Sequence, residues 1–419
     1  NIMATGTLTG QTIANTYKAL LKITGTTAGG ETLHATTQKV IEDGDGNPFP
    51  FSAAQDAILM TGTSRLEFND NGEYISGDGT DLTITSGNDI VLAVGAAGSV
   101  HSGGSAGTSN TVLGVDAGAS LHSGSAYNVF IGDTVADATM TATADYNVGV
   151  GYGALTDLTT GAYNICIGGA AGENIQDGSQ NVLIGTSCGD GLIAETDNVA
   201  IGHDALSHAN PQADKVVAIG TGSLGGDLTS DADGTIAIGY NAGNALTSGE
   251  QNVALGFQSL TTETVGDNCT AVGYQALTAQ IGITGEVANT AVGCKSGVAI
   301  TKGRDNVIIG FQALFTEDVG DKTTAIGTKA LHLQNSDEDN ENTGNTGVGY
   351  GAGYTNVIGI NNTYLGYNAG YGSGGGSNSN NTAVGMNAMQ SITTGTGNIV
   401  MGKGAGDAIT DGAENVCIG

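Results

Sequence analysis

A five-residue element recurs along roughly three quarters of the chain, residues 110–419, and constrains it more than any other feature. It reads Asn164-Ile165-Cys166-Ile167-Gly168, then Asn181-Val182-Leu183-Ile184-Gly185, then Asn198-Val199-Ala200-Ile201-Gly202. Its Gly occurs 18 times, from Gly114 to Gly419, and ten of the 17 intervals are 17 residues long, the rest 18 to 22. A unit this short cannot bury a face by itself. Stacked units can, so the expected fold is a repetitive solenoid.

The columns of the repeat have separate physical readings. Position two is β-branched in every copy, and position four is aliphatic or Met. Such residues suit a strand, whose side chains alternate between faces. Position three is also mostly apolar, as in Leu183, Ala200 and Ile308. Both faces are therefore expected to be buried, one in the coil's own core and the other against a partner, which another chain could supply. Ile167, Ile184 and Ile201 are expected to stack as a dry aliphatic spine.

Position one is Asn in 14 of the 18 copies: Asn110, Asn128, Asn147, Asn164, Asn181, Asn198, Asn252, Asn289, Asn306, Asn345, Asn362, Asn381, Asn398 and Asn415. Val216, Thr235, Cys269 and Thr323 are the exceptions. Stacking would set these amides above one another as a structural ladder. Position five is always Gly, which permits positive φ or close backbone contact. A small residue such as Ala154, Ala171 or Ala205 follows three residues later. Gly161, Gly249 and Gly303 stand three residues before the next position one, where turns with positive φ are expected.

Coils spaced by about 4.8 Å would give a rod of about 85 Å. The fold class expected is all-β: a β-solenoid of the β-roll type with about 18 coils and a period near 17. Residues 1–95 lack the repeat and read as a small β-rich attachment region, and 96–109 as a Gly/Ser linker or capping coil. Within the first region, Tyr17 to Ile23 reads as a strand or short helix, Glu42 to Pro48 as a turn, and Phe68 to Leu92 as small hairpins. The chain opens on Asn-Ile-Met with no signal peptide pattern and stops inside a repeat, so the expectation is a fragment or a shaft with a further tip.

Composition narrows the function classes. Gly is 72 of 419 residues, which disfavours long helices, and no G-X-Y pattern points to collagen. Hydrophobic content of 39% is too high for a disordered chain, and no run of about 18 apolar residues points to a membrane helix. A net charge of −30 repels phosphate backbones and anionic membranes, so neither nucleic-acid binding nor membrane insertion is expected. The five Cys are odd in number and include no CxxC pair, so they signal neither zinc nor a disulfide framework. Cys166 and Cys417 occupy a small-residue column and read as packing.

The Asn-Val/Thr-Ala-Val/Ile-Gly repeat resembles the β-roll heads of trimeric autotransporter adhesins and repeats in long bacteriophage tail fibres. Near the N-terminus, Leu20 to Ile23, Val40 to Gly46 and Tyr74 to Ile84 resemble modules of fibre proteins of tailed phages, marine ones especially. The resemblance implies a homotrimeric virion fibre, attached to virion structural proteins and directed at a host-surface glycan or protein. Composition and spacing alone imply a stacked β rod that self-associates.

No catalytic, cofactor or metal site is assigned. Asp43, Asp45 and Asn47 have the first ligand spacings of a calcium loop, but Pro48 replaces the required Gly and Ala54 stands where the bidentate Glu belongs, so a solvated turn is expected. Asp337-Glu338-Asp339-Asn340-Glu341 reads as a surface loop. His203 and His208 have no evident third ligand. Aromatics follow the repeat Gly at Tyr152, Tyr240, Phe257, Tyr274, Phe311, Tyr350 and Tyr367, a broken stripe suited to packing or to sugar rings. No nucleophile elbow, P-loop or Cys/His couple appears. The expected function is a non-enzymatic fibre shaft for host attachment on a virion. The alternatives are a bacterial surface adhesin or extracellular filament, and, less favoured, a polysaccharide depolymerase using a carboxylate pair.

Overall fold

The structure is a computed structural model that describes residues 22–23, 39–42, 48–53, 58–60, 109–208, 212–281 and 283–419. The chain divides into two compact units, Asn1–Ala93 and Val94–Gly419. In the first, strands β1 (Lys22–Ile23), β2 (Lys39–Glu42), β3 (Pro48–Ala53) and β4 (Ile58–Met60) pair antiparallel in chain order. The register shifts between Val40 and Glu42, as at a β-bulge. Asp43, Asp45, Asn47 and the segment Phe68 to Leu92 lie outside the described residues.

The second unit is an all-β solenoid. Each repeat contributes one three-residue strand at positions two to four, from Thr111–Leu113 to Val416–Ile418. These strands pair parallel and in register, each with its predecessor and successor, so Ile167, Ile184 and Ile201 do stack. The sheet is open: the first strand pairs only with Val129–Ile131 and the last only with Ile399–Met401. Most of the rest of each coil is turn; outside the main sheet lie a two-residue parallel pair, Gly266–Asp267 with Gly285–Glu286, a single parallel bridge between Asp321 and Asn342, and a 3-10 turn at Ser230–Ala232.

Burial corrects one expectation. Positions two and four do not form the dry spine: Ile167, Ile184 and Ile201 are 38%, 36% and 36% exposed. Position three points inward, and Cys166, Leu183 and Ala200 are fully buried. The Asn at position one decides the facing. Its side chain turns in to reach turn carbonyls, and strand alternation then places position three inside and two and four outside. The core is completed by the small column after the repeat Gly (Ala171, Ala205) and by Leu158, Ile175 and Leu192 from the turns.

The backbone explains the Gly columns. The repeat Gly has φ near +140°, as at Gly168 and Gly185, and a Cβ on Gly185 would strike the backbone of Gly202 in the next coil. The turn glycines differ from expectation. Gly161, Gly249 and Gly303 do not have positive φ; a Cβ on Gly161 or Gly303 would instead strike the carbonyl of Gly178 or Gly320 in the neighbouring coil. Close approach, not turn type, selects Gly there. Non-Gly residues do take left-handed φ in each coil, among them Tyr163 (61°) before position one and Leu206 (53°) after the repeat Gly. Each costs about 1–2 kcal/mol, which for Leu206 is offset by complete burial.

Coil length is matched by an interior carboxylate. In a 17-residue coil, the turn N–H groups of Thr159, Thr160 and Gly161 all donate to the Gln176 carbonyl of the next coil. The intervals after Gly273 and Gly327 are 20 and 22 residues. In the coils just before them, the buried side chains of Glu263 and Glu317 take over the acceptor role. Glu263 Oε1 accepts from the N–H groups of Thr264 (2.8 Å), Val265 (3.0 Å) and Gly266 (2.7 Å). Glu317 Oε1 accepts from Val319 (3.2 Å) and Gly320 (2.8 Å). The other oxygen of each accepts from a Gln amide one coil on, Gln280 (2.7 Å) or Gln334 (2.8 Å). Both clusters replace Leu or Ile in that column, so they keep buried polar groups satisfied where the next turn is longer.

Candidate interaction surface

The fourteen ladder Asn face the interior of the coil and do not form a surface site. Twelve of them are fully buried or nearly so, Asn110 retains 8% exposure, and Asn415 is exposed in the last coil. The principal bond differs from a simple amide ladder. In the thirteen Asn that have a coil after them, Oδ1 accepts the backbone N–H of position one in that next coil, as Asn181 does from Asn198 at 3.0 Å. That bond is indifferent to the side chain above, so it persists at Val216 (3.0 Å), Cys269 (2.8 Å) and Thr323 (2.8 Å). Amide-to-amide bonds occur as well, for example from Asn164 to Asn147 and from Asn181 to Asn164, both at 3.1 Å. The Asn Nδ2 donates to a turn carbonyl, Gly178 for Asn164 and Glu195 for Asn181, each at 2.8 Å.

A second ladder escaped the sequence reading. Two residues before position one, Asp145, Asp214, Asp233, Asp267 and Asp321 accept backbone N–H groups of the preceding coil at 2.6–2.8 Å. Ser179 and Ser379 do the same with a hydroxyl, at 3.0 Å. The recurrence of Asp or Ser at that offset was the available signal.

The outward side of the sheet carries positions two and four of every strand. Those 36 positions contain only Val, Ile, Leu, Met and Thr, in a chain of net charge −30. A three-residue strand spans about 10 Å and the 17 steps of about 4.8 Å span about 82 Å, giving a stripe of roughly 800 Å². Monomers rarely expose a continuous apolar patch above a few hundred Å².

Aromatic ladders flank this stripe. Immediately after the repeat Gly, Tyr240, Phe257 and Tyr274 stack with centroids 5.1 and 5.4 Å apart, and Tyr350 stacks on Tyr367 at 5.3 Å. Two more columns were not read from the sequence. Before position one, Tyr127, Tyr146 and Tyr163 stack at 4.8 and 4.9 Å. Five residues after the repeat Gly, Phe315, His332, Tyr354 and Tyr371 form a four-ring stack at 4.9–5.0 Å. Burial within that stack lowers the pKa of His332, whose Nδ1 lies 3.0 Å from the Gln312 carbonyl.

His203 pairs with Asp204 (3.0 Å) and His208 with Asp227 (3.4 Å), so the two histidines do not share a partner. No group of three metal-ligating side chains occurs among the described residues. In the acidic loop, Asp339 is held by the Lys302 ammonium at 2.6 Å. Asp190 is pushed up to about 6 by partial burial, with Asp204 and Glu173 adding repulsion. Burial raises the thiols of Cys188 and Cys269 to about 12 and about 11, which makes them poor nucleophiles. Cys417, in the terminal coil, is only partly buried. No helix among the described residues is long and apolar enough to cross a membrane.

No protein family, curated protein or solved structure matches the chain.

Proposed function

We propose that the chain is the shaft of a self-associated fibre, most simply a homotrimer, and that it is not an enzyme. The observation that carries this reading is the uncharged stripe along the solenoid, with Thr at seven of its 36 positions and Val, Ile, Leu or Met at the rest. Its roughly 800 Å² equals the area that one partner buries in a stable interface. A partner that covers every coil must repeat at the same step of about 4.8 Å. A second copy of the same solenoid meets that requirement. With acidic residues elsewhere on the chain, apolar contact along the stripe would hold the copies and charge would keep the assembly soluble.

The mechanism proposed is mechanical. Parallel backbone pairing and the buried Asn chain stiffen each solenoid, and closure of several copies covers the stripe. The resemblance of the repeat and of the N-terminal segments to phage fibre proteins supports a virion fibre that presents several copies of its contacts to a host surface. Light scattering on the purified chain tests the reading. A uniform oligomer, with three chains as the simplest closed form, is the expected result, and a monodisperse monomer would overturn it.

A further inference from the structure

Two columns border the outward stripe, the residue immediately before position one and the residue immediately after the repeat Gly. Seven Asp, Glu or Lys residues occupy them: Asp197, Lys215, Asp305, Lys322 and Glu414 on the first flank, Asp133 and Lys403 on the second. All seven are exposed. Asp197 and Lys215 lie in adjacent coils, as do Asp305 and Lys322, yet none of the seven forms an ion pair among the described residues.

Symmetry allows two ways of covering the stripe with copies of the same chain. If the rotation axis runs along the solenoid, the chains are parallel, and the first flank of each coil meets the second flank of the same coil in the partner. If a two-fold axis runs along the strands, the chains are antiparallel and each flank meets itself. Place that two-fold axis between the strands Val253–Leu255 and Thr270–Val272, and coils pair outward from it on either side. Asp197 then meets the partner's Lys322, Lys215 the partner's Asp305, and Asp133 the partner's Lys403. Glu414 meets the partner's Ser109, so no flank charge meets its like. Opposed sheets lie about 10 Å apart, a gap that Lys and Asp side chains bridge together. A shift by one coil in either direction sets Asp197 against Asp305 or Lys215 against Lys322. In the parallel arrangement Asp197, Lys215, Asp305 and Lys322 meet His203, Thr221, Phe311 and Thr328, and no Asp–Lys pair forms. One column further out on each side, the antiparallel register adds Asp204 with Lys329 and Asp214 with Arg304. The one like-charged meeting there, Glu250 with Asp267, lies beside the axis, where the Asp267 carboxylate accepts the Glu250 N–H of its own chain at 2.8 Å.

We propose that the stripe is covered by a second copy of this chain running antiparallel, about a two-fold axis between the coils of Gly256 and Gly273. The inference rests on the reading of the stripe as the self-association face, and it replaces three-fold closure by a pair. Burial of the apolar positions holds the two chains together. The Asp–Lys contacts, each made twice by symmetry, fix direction and register, because the neighbouring registers bring like charges together. In this register every strand from Thr111–Leu113 to Val416–Ile418 has a strand opposite. The flanking rings find room as well: Tyr127 meets the partner's Gly397, and Tyr367 the partner's Gly169.

Mass in solution and zero-length carbodiimide crosslinking of the full chain test the proposal together. Two chains are expected, with peptides joined at Asp197–Lys322, Lys215–Asp305 and Asp133–Lys403. Within one chain these couples stand about 34, 24 and 72 Å apart along the stack, so each link must run between chains. The variant Lys215→Asp with Lys322→Asp should raise the dissociation constant at least about a hundredfold with unchanged circular dichroism, and so should Asp197→Lys with Asp305→Lys. Mixing the two variants should restore pairing, since each of these contacts then joins an Asp to a Lys. A monomer would overturn this inference and the self-association reading alike. A uniform trimer, or a dimer without these crosslinks, would overturn the antiparallel pair and leave the fibre-shaft reading standing. Variants that self-associate as tightly as the native chain would also overturn it.

Discussion

The ring of Tyr364 fills the space that a Cβ on Gly370, six residues later in the same coil, would need. The two columns exchange size along the solenoid. Cys166 faces Gly172 and Leu183 faces Gly189, whereas Gly149 goes with Leu155 and Ala200 with Leu206. These coils fill their interior from one column or the other, whereas Ala237 with Gly243, Ala291 with Gly297 and Gly347 with Gly353 are small in both columns and Ile308 with Leu314 large in both. Tyr364→Ala alone should lower stability by about 3–5 kcal/mol through the cavity it leaves. Adding Gly370→Leu should recover most of that loss, because Leu155 already sits at this position with φ of 56°. Thermal melting of the single and double variants decides it, and a double variant worse than Tyr364→Ala would refute the exchange.

The Asn chain has a different consequence. Asn181→Leu together with Asn198→Leu deprives the buried N–H groups of position one in two successive coils, Asn198 and Val216, of their acceptor. Each orphaned group costs about 1–3 kcal/mol, so the melting temperature should fall clearly. An unchanged melting temperature would remove the structural role of the ladder.

Glu263 should resist replacement by the residue type its own column uses elsewhere. Leu158 and Leu246 occupy the same position with turn N–H groups served by the next coil. Behind Glu263 the following coil is longer, and its carboxylate serves those groups instead. Glu263→Leu should therefore cost about 3 kcal/mol or more, while Leu246→Met should cost less than about 1.5 kcal/mol. Equal melting temperatures for the two variants would contradict the acceptor role.

Acidity should act through Asp190. Its folded-state pKa is raised from 3.8 to about 6, chiefly by burial, so the folded state holds a proton that the unfolded chain has released. That contribution is present in full below about pH 3.8 and is lost as pH rises through about 6. Relative to Asp190→Asn, the native chain should gain stability as pH falls from 7 to 5. His332 works in the opposite direction, because its lowered pKa withdraws stability on acidification, so the comparison must be made against the variant. Parallel pH profiles for the two proteins would refute the assignment.

Self-association should yield to charge placed on the stripe. Ile184 and Ile201 are partly exposed in the single chain, so Ile184→Glu with Ile201→Glu should leave the β-sheet circular dichroism unchanged. In an assembly closed over that stripe, two buried carboxylates per chain would carry a large desolvation penalty and release smaller species. Undiminished mass by light scattering would place the interface elsewhere.

The repeat was legible in the sequence because strand chemistry is local. β-branched residues at position two, aliphatics at four and an invariant Gly define one short strand per coil, and the spacing from Gly168 to Gly185 to Gly202 sets the stacking. Facing was not legible. Ile167 and Cys166 are both apolar, and only the inward pull of Asn164 on the Gly178 carbonyl decides which of them is wet. The carboxylates of Glu263 and Glu317 were equally hidden, because a buried Glu reads as a surface residue until a longer neighbouring coil withdraws the backbone acceptor. Local preference specifies elements, whereas inside and outside follow from hydrogen bonds between residues seventeen or more apart, which only the stacked chain brings together.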